Sequence, residues 1–212
     1  MQDERCGAIS NRWSGCRSGE VQARVRTPAA QLEVVRTQLL EVPSLISIRA
    51  ESKGDIDAIH AINKRLFETD TEAKLVDLLR SRDKLIISLV AEDKGKLVGH
   101  IAFSRVQNEA NPGIRGLGLG PMAVIPERQN CGIGSQLVQA GIGHSKSLGY
   151  DYIVVLGHPS YYPRFGFMPA RQFDLHCAWE VPEDVFMALE VQANSLSSVK
   201  GLVMYEPEFN EV

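Results

Sequence analysis

The residues whose types and spacing point most directly to chemistry are Gln129, Gly132 and Gly134, within residues 129–135 (QNCGIGS). The two glycines allow the backbone to turn tightly and to bring its N–H groups close to a ligand, because no Cβ intervenes. If a helix begins here, those N–H groups lack partners within the helix and lie at the positive end of its dipole. The run therefore predicts a phosphate or pyrophosphate site. A tight strand-to-helix connection that binds nothing is the alternative that the loop alone leaves open.

This loop matches neither of the common nucleotide-binding loops. A Walker A loop requires Gly-Lys-Ser/Thr, and no Lys follows Gly134. A dinucleotide-binding fingerprint requires a third glycine three residues further on, whereas the next glycine, Gly141, lies within the expected helix. The anion site must therefore be of another kind.

The elements that position the loop can be predicted from the apolar pattern around it. Residues 116–124 (GLGLGPMAV) predict a strand that ends at Val124, and residues 133–148 repeat apolar side chains at helical spacing. Gly149 is expected to end that helix. Residues 152–156 (YIVVL) form a continuous apolar run, which is typical of a strand buried on both faces. A strand, a crossover helix and a second strand form a right-handed unit, so the two strands should be parallel.

Residues 119–134 (LGPMAVIPERQNCGIG) resemble motif A of the GCN5-related N-acetyltransferases, the GNAT superfamily, and in particular its YhbS-like branch of predicted N-acetyltransferases. In that motif, V-x-P-x-x-[QR]-x-x-G-x-[GA] binds the pyrophosphate of acetyl-CoA. The resemblance implies a bulge in the strand before the loop, and Pro121 agrees with this because it has no N–H to donate. It also implies that the backbone of the strand end pairs with the pantetheine arm. The residues implied to contact the cofactor are Met122, Ala123, Val124, Gln129, Asn130, Cys131, Gly132, Ile133, Gly134 and Ser135.

A second informative stretch is residues 157–167 (GHPSYYPRFGF), which resembles the Y-x-x-x-G-F signature of GNAT motif B, with Tyr162 four residues before Gly166. The family implies a tyrosine here whose hydroxyl lies near the CoA sulfur. A phenol with a pKa of about 10 is neutral at pH 7 and could protonate the leaving thiolate. Alternatively, Tyr162 is part of an aromatic cluster that packs against the splayed strands. For Tyr161 we prefer this packing interpretation.

The general base is less clear from the sequence. His158 is expected at the carboxyl end of a parallel strand, and we interpret it as a candidate base or substrate-binding residue. Many relatives place a glutamate that activates water in the motif A strand, but residues 116–126 contain no acidic residue. The base therefore stays open at this point.

Composition narrows the class of protein. The chain has 212 residues, 44% of them apolar, with a net charge of −3 and an isoelectric point near 6.0. It shows neither a basic field for nucleic acid nor a polybasic membrane patch, and no apolar run of roughly 18 residues that could span a bilayer. The four cysteines, Cys6, Cys16, Cys131 and Cys177, have no metal-ligand spacing, which favours a metal-free protein in a reducing, cytoplasmic compartment. A nucleophilic thiol at Cys131 is a lesser alternative.

Residues 1–43 differ in pattern from the rest of the chain. They lack an apolar period and an apolar signal region, so we interpret them as a disordered N-terminal extension and residues 44–212 as one catalytic domain. Within the domain, a strand is expected at 45–49, helices from Asp55 and from Thr71, and a hairpin of strands 85–91 and 97–103. Strands are also expected at 186–191 and 201–205, and the family implies that the two helices form part of the acceptor wall. We also expect His100 to be a hydrogen-bonded strand residue. The acids Glu180, Glu183 and Asp184 are expected near the acceptor mouth.

The resemblance implies an α/β fold of the GNAT type, a mixed and mostly antiparallel sheet with a splayed parallel strand pair, flanked by helices. It implies an acyltransferase that moves the acetyl group of acetyl-CoA to an unidentified amine acceptor by direct attack in a ternary complex. The alternatives are a non-catalytic acyl-CoA-binding sensor or interaction module on the same fold, and a binder of nucleotide phosphates. We expect a monomer or homodimer without nucleic acid, membrane or metal partners.

Overall fold

The apolar runs form strands of a single mixed sheet. The computed structural model describes residues 46–67, 69–197 and 199–212, so the extension predicted for residues 1–43 lies outside the described residues. Within those described ranges the strands are β1 (Ser47–Ala50), β2 (Leu85–Asp93), β3 (Lys96–Asn108), β4 (Gly116–Val124), β5 (Tyr152–Leu156), β6 (Met168–Pro169), β7 (Leu175–Cys177), β8 (Phe186–Glu190) and β9 (Gly201–Tyr205). The helices are α1 (Ile56–Leu66), α2 (Thr71–Ser81) and α3 (Ile133–Ser147).

The order of neighbouring strands is β1-β2-β3-β4-β5-β8-β6, and β9 pairs with both β3 and β7. The pair β4–β5 is parallel, as predicted for strands joined by a crossover helix. The short pair β7–β9 is also parallel, which the sequence did not indicate, and the other pairs are antiparallel. The predicted fold class, a mostly antiparallel mixed sheet flanked by helices, is confirmed.

The predicted hairpin is formed by β2 and β3. Lys94 and Gly95 both have positive φ, 50° and 79°, and Asp93 pairs with Lys96, as in a two-residue turn that matches the strand twist. The second strand is longer than predicted, however, since it continues past Phe103 to Asn108. Ser104 to Val106 pair with β4, and the last three residues, Val106 to Asn108, pair with β9, so both partners extend the strand.

The two faces of the sheet bury different helices because side chains alternate along each strand. Leu89 and Ile101 point to the face covered by α3, in one apolar cluster with Leu137 of that helix. Val90 and Ala102 point to the other face and pack against helix residues Ile59 of α1 and Val76 of α2. The sheet is therefore enclosed between α3 and the pair α1–α2.

A buried hydrogen-bond chain joins α1 to the sheet through His100. The Asn63 amide donates to His100 Nδ1 at 3.1 Å, and His100 Nε2 lies 2.9 Å from the Ser88 hydroxyl. Ser88 in turn donates to Glu51, whose carboxylate is also paired with Arg80 of α2. Burial lowers the pKa of His100 to about 4, so the ring is neutral at pH 7. The prediction that His100 is a hydrogen-bonded strand residue is confirmed.

Candidate active site

The two parallel strands diverge halfway along β4. The pairing of β4 with β5 covers Gly116 to Leu119, opposite Tyr152 to Val155. Beyond that point β5 ends at Leu156, while β4 continues to Val124 with β3 as its partner. The edge of β4 that faced β5 is therefore open over its second half, as predicted for the splayed pair.

A bulge in β4 marks the place where the strands part. Leu119 pairs with Phe103 and Met122 pairs with Ile101, so Gly120 and Pro121 together lie opposite a single residue of β3. A bulge of this kind bends its strand and redirects the residues that follow. The bulge that the resemblance implied, and with which Pro121 agrees, is thus present just before the end of β4.

A cavity of about 1130 Å³ occupies the divergence. Most of the residues predicted to bind the cofactor or to act in catalysis line it, namely Met122, Val124, Gln129, Asn130, Gly132, Ile133, Gly134, Ser135, His158 and Tyr162. Two predicted residues are placed differently. Ala123 is buried within the sheet, and Cys131 is exposed with its thiol 3.3 Å from the Gln129 carbonyl oxygen.

The loop that leads into α3 presents backbone N–H groups to this cavity. Asn130 and Gly132 both adopt left-handed conformations, with φ of 58° and 79°, and Gly132 is the N-cap of the helix. The first helical hydrogen bond runs from Gln136 N to Gly132 O, so the N–H groups of Ile133 to Ser135 lie ahead of it. The Gln129 side chain donates to the Val124 carbonyl at 3.0 Å and ties the loop to the end of β4.

Tyr162 begins a 3-10 helix, Tyr162–Phe165, that follows β5. Its ring is 6% exposed and makes edge-on contacts with Tyr161 and Phe167, at centroid distances of 5.2 and 5.5 Å. Gly166 ends the short helix with a φ of 94°, a value that glycine adopts most easily. Burial, and then the neighbouring Tyr161, raises the pKa of Tyr162 above its usual value, so the phenol holds its proton at pH 7.

Tyr161 does more than complete an aromatic cluster. It contacts Phe165 edge-on at 5.4 Å, and the Arg164 guanidinium lies 4.7 Å from its ring centroid. Its hydroxyl also reaches the predicted phosphate-binding loop, residues 129–135 (the phosphate loop), since a Cβ built on Gly134 would be 2.7 Å from it. The sequence interpretation of Tyr161 as packing alone therefore missed a polar group in the cavity. No local pattern distinguishes its position from that of Tyr162.

His158 lies where the sequence placed it, just after β5. It is exposed and lines the cavity, and its carbonyl accepts a hydrogen bond from Tyr161 N at 2.9 Å. The backbone of this histidine therefore helps to set the turn that carries both tyrosines.

The cavity is also lined by residues from other parts of the chain. Phe67, which follows α1, and Thr71, Glu72 and Leu75 of α2 line it, as do Trp179, Tyr205, Phe209 and Val212 of the chain after β7. Of the two helices that the family implies for the acceptor wall, α2 thus reaches the cavity, whereas α1 contributes only the residue at its end. The acids that were expected near the acceptor, Glu180, Glu183 and Asp184, are not among the lining residues, and Glu183 pairs with Arg171 at the surface. The sequence did not mark Glu72 as a cavity residue, because an acid in the first turn of a helix is common for electrostatic reasons alone. It did not mark the aromatic residues because they are far apart along the chain.

Neither of two further features is found in the described part of the chain. Residues 46–67, 69–197 and 199–212 contain no group of three histidine, cysteine or acidic side chains arranged to hold a metal ion. No helix formed by these residues is long and apolar enough to cross a membrane.

Comparison with known proteins agrees with this geometry. Residues 56–167 match the Acetyltransferase (GNAT) family. The uncharacterized N-acetyltransferase YhbS of Escherichia coli (strain K12) is 38% identical over 164 residues, which cover 77% of this chain and 98% of that protein.

Two solved structures are also similar. The Escherichia coli YhbS structure in complex with CoA has a TM-score of 0.76 and 38% identity, and the match covers 79% of this chain and 93% of that chain. A GNAT family acetyltransferase from Brucella melitensis in complex with acetyl-CoA has a TM-score of 0.65 and 32% identity, over 78% and 99% of the two chains. The family match and the 38% identity over nearly all of YhbS lead to one conclusion: this chain belongs to the GNAT acetyltransferase family.

Proposed function

We propose that this protein is an acetyl-CoA-dependent N-acetyltransferase, which moves the acetyl group to an amine by direct attack in a ternary complex. The observation that carries the proposal is the divergence of β4 from β5, with the phosphate loop and Tyr162 lining one cavity. The relatives of similar fold that contain CoA or acetyl-CoA support the choice of donor.

The described residues fit such a donor. The N–H groups of Ile133, Gly134 and Ser135 precede the first hydrogen bond of α3 and would bind the pyrophosphate, favoured by the helix dipole. The open edge of β4 from Met122 to Val124 would pair with the amide groups of the pantetheine arm. Pairing of this kind extends a sheet by one strand and uses backbone groups rather than charged side chains.

For this reaction the protein must orient the two substrates and transfer protons. An N–C bond forms between the amine and the acetyl carbonyl carbon, the C–S bond breaks, the sulfur gains a proton and the nitrogen loses one. Tyr162 would donate the proton to the sulfur, because its buried phenol stays protonated at neutral pH. His158, exposed at the cavity, would receive the proton of the amine directly or through water.

Calorimetric titration with CoA tests the donor site. Gly134→Val places a branched side chain against the phosphate position and the Tyr161 hydroxyl, and should weaken CoA binding by about tenfold or more. Gly143→Val is the matched control, because a Cβ at this exposed position of the same helix meets nothing within 4 Å. Unchanged CoA affinity in a folded Gly134→Val protein would refute the proposed site.

A measurement of free thiol released in the presence of amine acceptors then distinguishes an enzyme from a non-catalytic sensor. An enzyme releases CoA in proportion to the amine consumed, whereas a sensor binds acetyl-CoA and leaves it intact. A protein that binds CoA tightly but releases no thiol with any amine would favour the sensor.

A further inference from the structure

One side of the cavity, lined by α2 and by the chain after β7, combines a carboxylate with aromatic side chains. Building on the proposed acetyl transfer, we infer that the acceptor is a primary amine that enters as an ammonium ion and carries a compact apolar or aromatic body. Its charge is recognised by Glu72, and its body is held by the aromatic triad Trp179, Tyr205 and Phe209. The bound ammonium releases one proton to solvent before it attacks, and the neutral amine then loses its second proton as in the reaction proposed above.

The aromatic triad forms one continuous wall of the cavity. The ring centroids of Trp179 and Tyr205 are 5.1 Å apart, those of Tyr205 and Phe209 are 5.0 Å apart, and those of Trp179 and Phe209 are 6.1 Å apart. The indole nitrogen of Trp179 donates to Asn210 at 3.1 Å, which fixes the orientation of the ring. Aromatic faces attract both apolar groups and cations, so this wall suits an amine with an apolar body.

Glu72 supplies the matching negative charge. Its Oε2 atom is withdrawn from solvent and has no hydrogen-bond partner among the described residues. A carboxylate with one buried and unpartnered oxygen is costly, and an ammonium group bound to this carboxylate from the cavity, which Glu72 lines, would supply a compensating charge. Glu72 is the one acidic residue among the described residues that line the cavity, and the basic lining residues Arg128 and Arg164 belong to the turn before residues 129–135 and to the short helix after β5. The carboxylate on the α2 side therefore favours a cationic acceptor over an anionic one.

The two walls are connected by ion pairs, so their spacing is defined by the fold. Arg82, just after α2, binds Glu208 at 3.2 Å and Glu211 at 2.6 Å. Lys84 pairs with the buried Glu206 at 3.1 Å. Glu206 and Glu208 flank the backbone turn that follows Tyr205 and leads to Phe209, and the pairs therefore hold the aromatic wall beside α2.

The same cavity contains the proposed catalytic acid, because Tyr205 and Tyr162 both line it. A group held on the aromatic triad therefore shares the cavity with the residue that would protonate the departing sulfur. The position fits an acceptor rather than a ligand bound elsewhere.

The test uses a matched pair of probes, phenethylamine and phenethyl alcohol, titrated by calorimetry into the CoA-saturated protein. The two differ in the ammonium group alone. The wild-type protein should bind the amine about tenfold or more tightly than the alcohol, and Glu72→Gln should remove this preference without weakening the alcohol. Trp179→Leu should weaken both probes. Glu109→Gln, at an exposed position outside this cavity, is the control and should change neither.

Glu72→Asp keeps the charge and should retain part of the preference for the amine, and the melting temperature and CoA affinity of each variant report whether it is folded. Equal binding of the two probes to the wild type, an unchanged preference in Glu72→Gln, or binding of CoA but of neither probe would each overturn the inference and leave the donor site standing. Failure of the wild type to bind CoA would instead overturn the proposed function, and this inference with it.

Discussion

The ring of Tyr162 lies directly against the α-carbon of Gly157: a Cβ built on that glycine would be 2.2 Å from the Cε2 atom of the ring. Gly157 is the first residue after β5, at the point where β5 has left β4. The phenol can therefore lie in the divergence of the two strands because Gly157 has no side chain. Its φ is not positive, so the requirement for glycine is one of space and not of backbone conformation.

Gly157→Ala should move the Tyr162 ring. The added methyl group overlaps the ring, and overpacking at a buried site costs about 1–3 kcal/mol. We expect a lower melting temperature and a loss of turnover that exceeds the loss of CoA affinity. Gly143→Ala is the control, because it adds the same methyl group to open space in a helix and should stabilise the protein slightly. A Gly157→Ala protein with wild-type turnover would show that the position of this ring does not matter for the reaction.

Tyr162→Phe removes one hydroxyl and keeps the ring contacts with Tyr161 and Phe167. If the phenol protonates the thiolate, kcat should fall by about 10²–10⁴-fold while acetyl-CoA affinity barely changes, because the lost interaction belongs mainly to the transition state. Tyr161→Phe is the matched control, since it removes the neighbouring hydroxyl beside Gly134 and should alter cofactor affinity more than kcat. Steady-state thiol release under conditions where chemistry limits the rate measures both. A wild-type kcat in Tyr162→Phe would show that the hydroxyl is not the catalytic acid and that Tyr162 serves in packing.

His100 should make the stability of the protein depend on pH. The unfolded imidazole takes up a proton near pH 6.5, whereas burial lowers the native pKa to about 4. Between these values a fall in pH adds protons to the unfolded state and not to the native state, so the free energy of unfolding decreases, by about 3 kcal/mol across the interval.

Denaturant titrations of the wild type and of His100→Gln between pH 7 and pH 4.5 would measure this effect. The variant should be less stable at pH 7, because its contacts with Asn63 and Ser88 are altered, but its stability should decrease less as the pH falls. Identical slopes for the two proteins would mean that His100 titrates normally in the native state.

A chain that begins at Ser44 should keep the melting temperature and CoA affinity of the full-length protein. Among the residues that the structure describes, the first strand starts at Ser47, and the family match starts at residue 56. Differential scanning calorimetry and CoA titration of the two proteins compare them directly. A large loss of stability or affinity would show that the first 43 residues contribute to the fold or to the donor site.

Local patterns predicted most of the elements near the donor site. The glycines of the loop, the apolar spacing of α3 and the run at β5 each depend on interactions within a few residues, and each is where the sequence indicated. The family resemblance implied the bulge, and Pro121 agreed with it because a missing N–H has an immediate consequence for strand pairing. The Lys94–Gly95 turn was recognisable for a similar reason, since it needs residues that tolerate positive φ.

The family resemblance implied that the two N-terminal helices form part of an acceptor wall, but the aromatic side of the cavity could not be predicted because it depends on long-range pairing. Tyr205 reaches the cavity since β9 pairs with the end of β3, and nothing in either stretch specifies the other as its partner. Trp179 and Glu72 meet the same cavity through tertiary packing, and each would be unremarkable in a loop or in the first turn of a helix. The role of Tyr161 was missed because the direction of its side chain depends on the short helix that follows.

The length of β3 has a consequence for how this protein could diversify. One part of the strand supports the end of β4 through Ile101 and Met122, and another supports β9 through Val106 and Tyr205, about 17 Å further along at the usual rise of a strand. The proposed donor and acceptor sites thus share one strand of the sheet but come from separate stretches of the sequence. If these assignments hold, substitutions around 67–75 and 179–209 can change the choice of acceptor while residues 129–135 stay the same. A single scaffold of this kind can give rise to enzymes with different selectivity by changing one wall at a time.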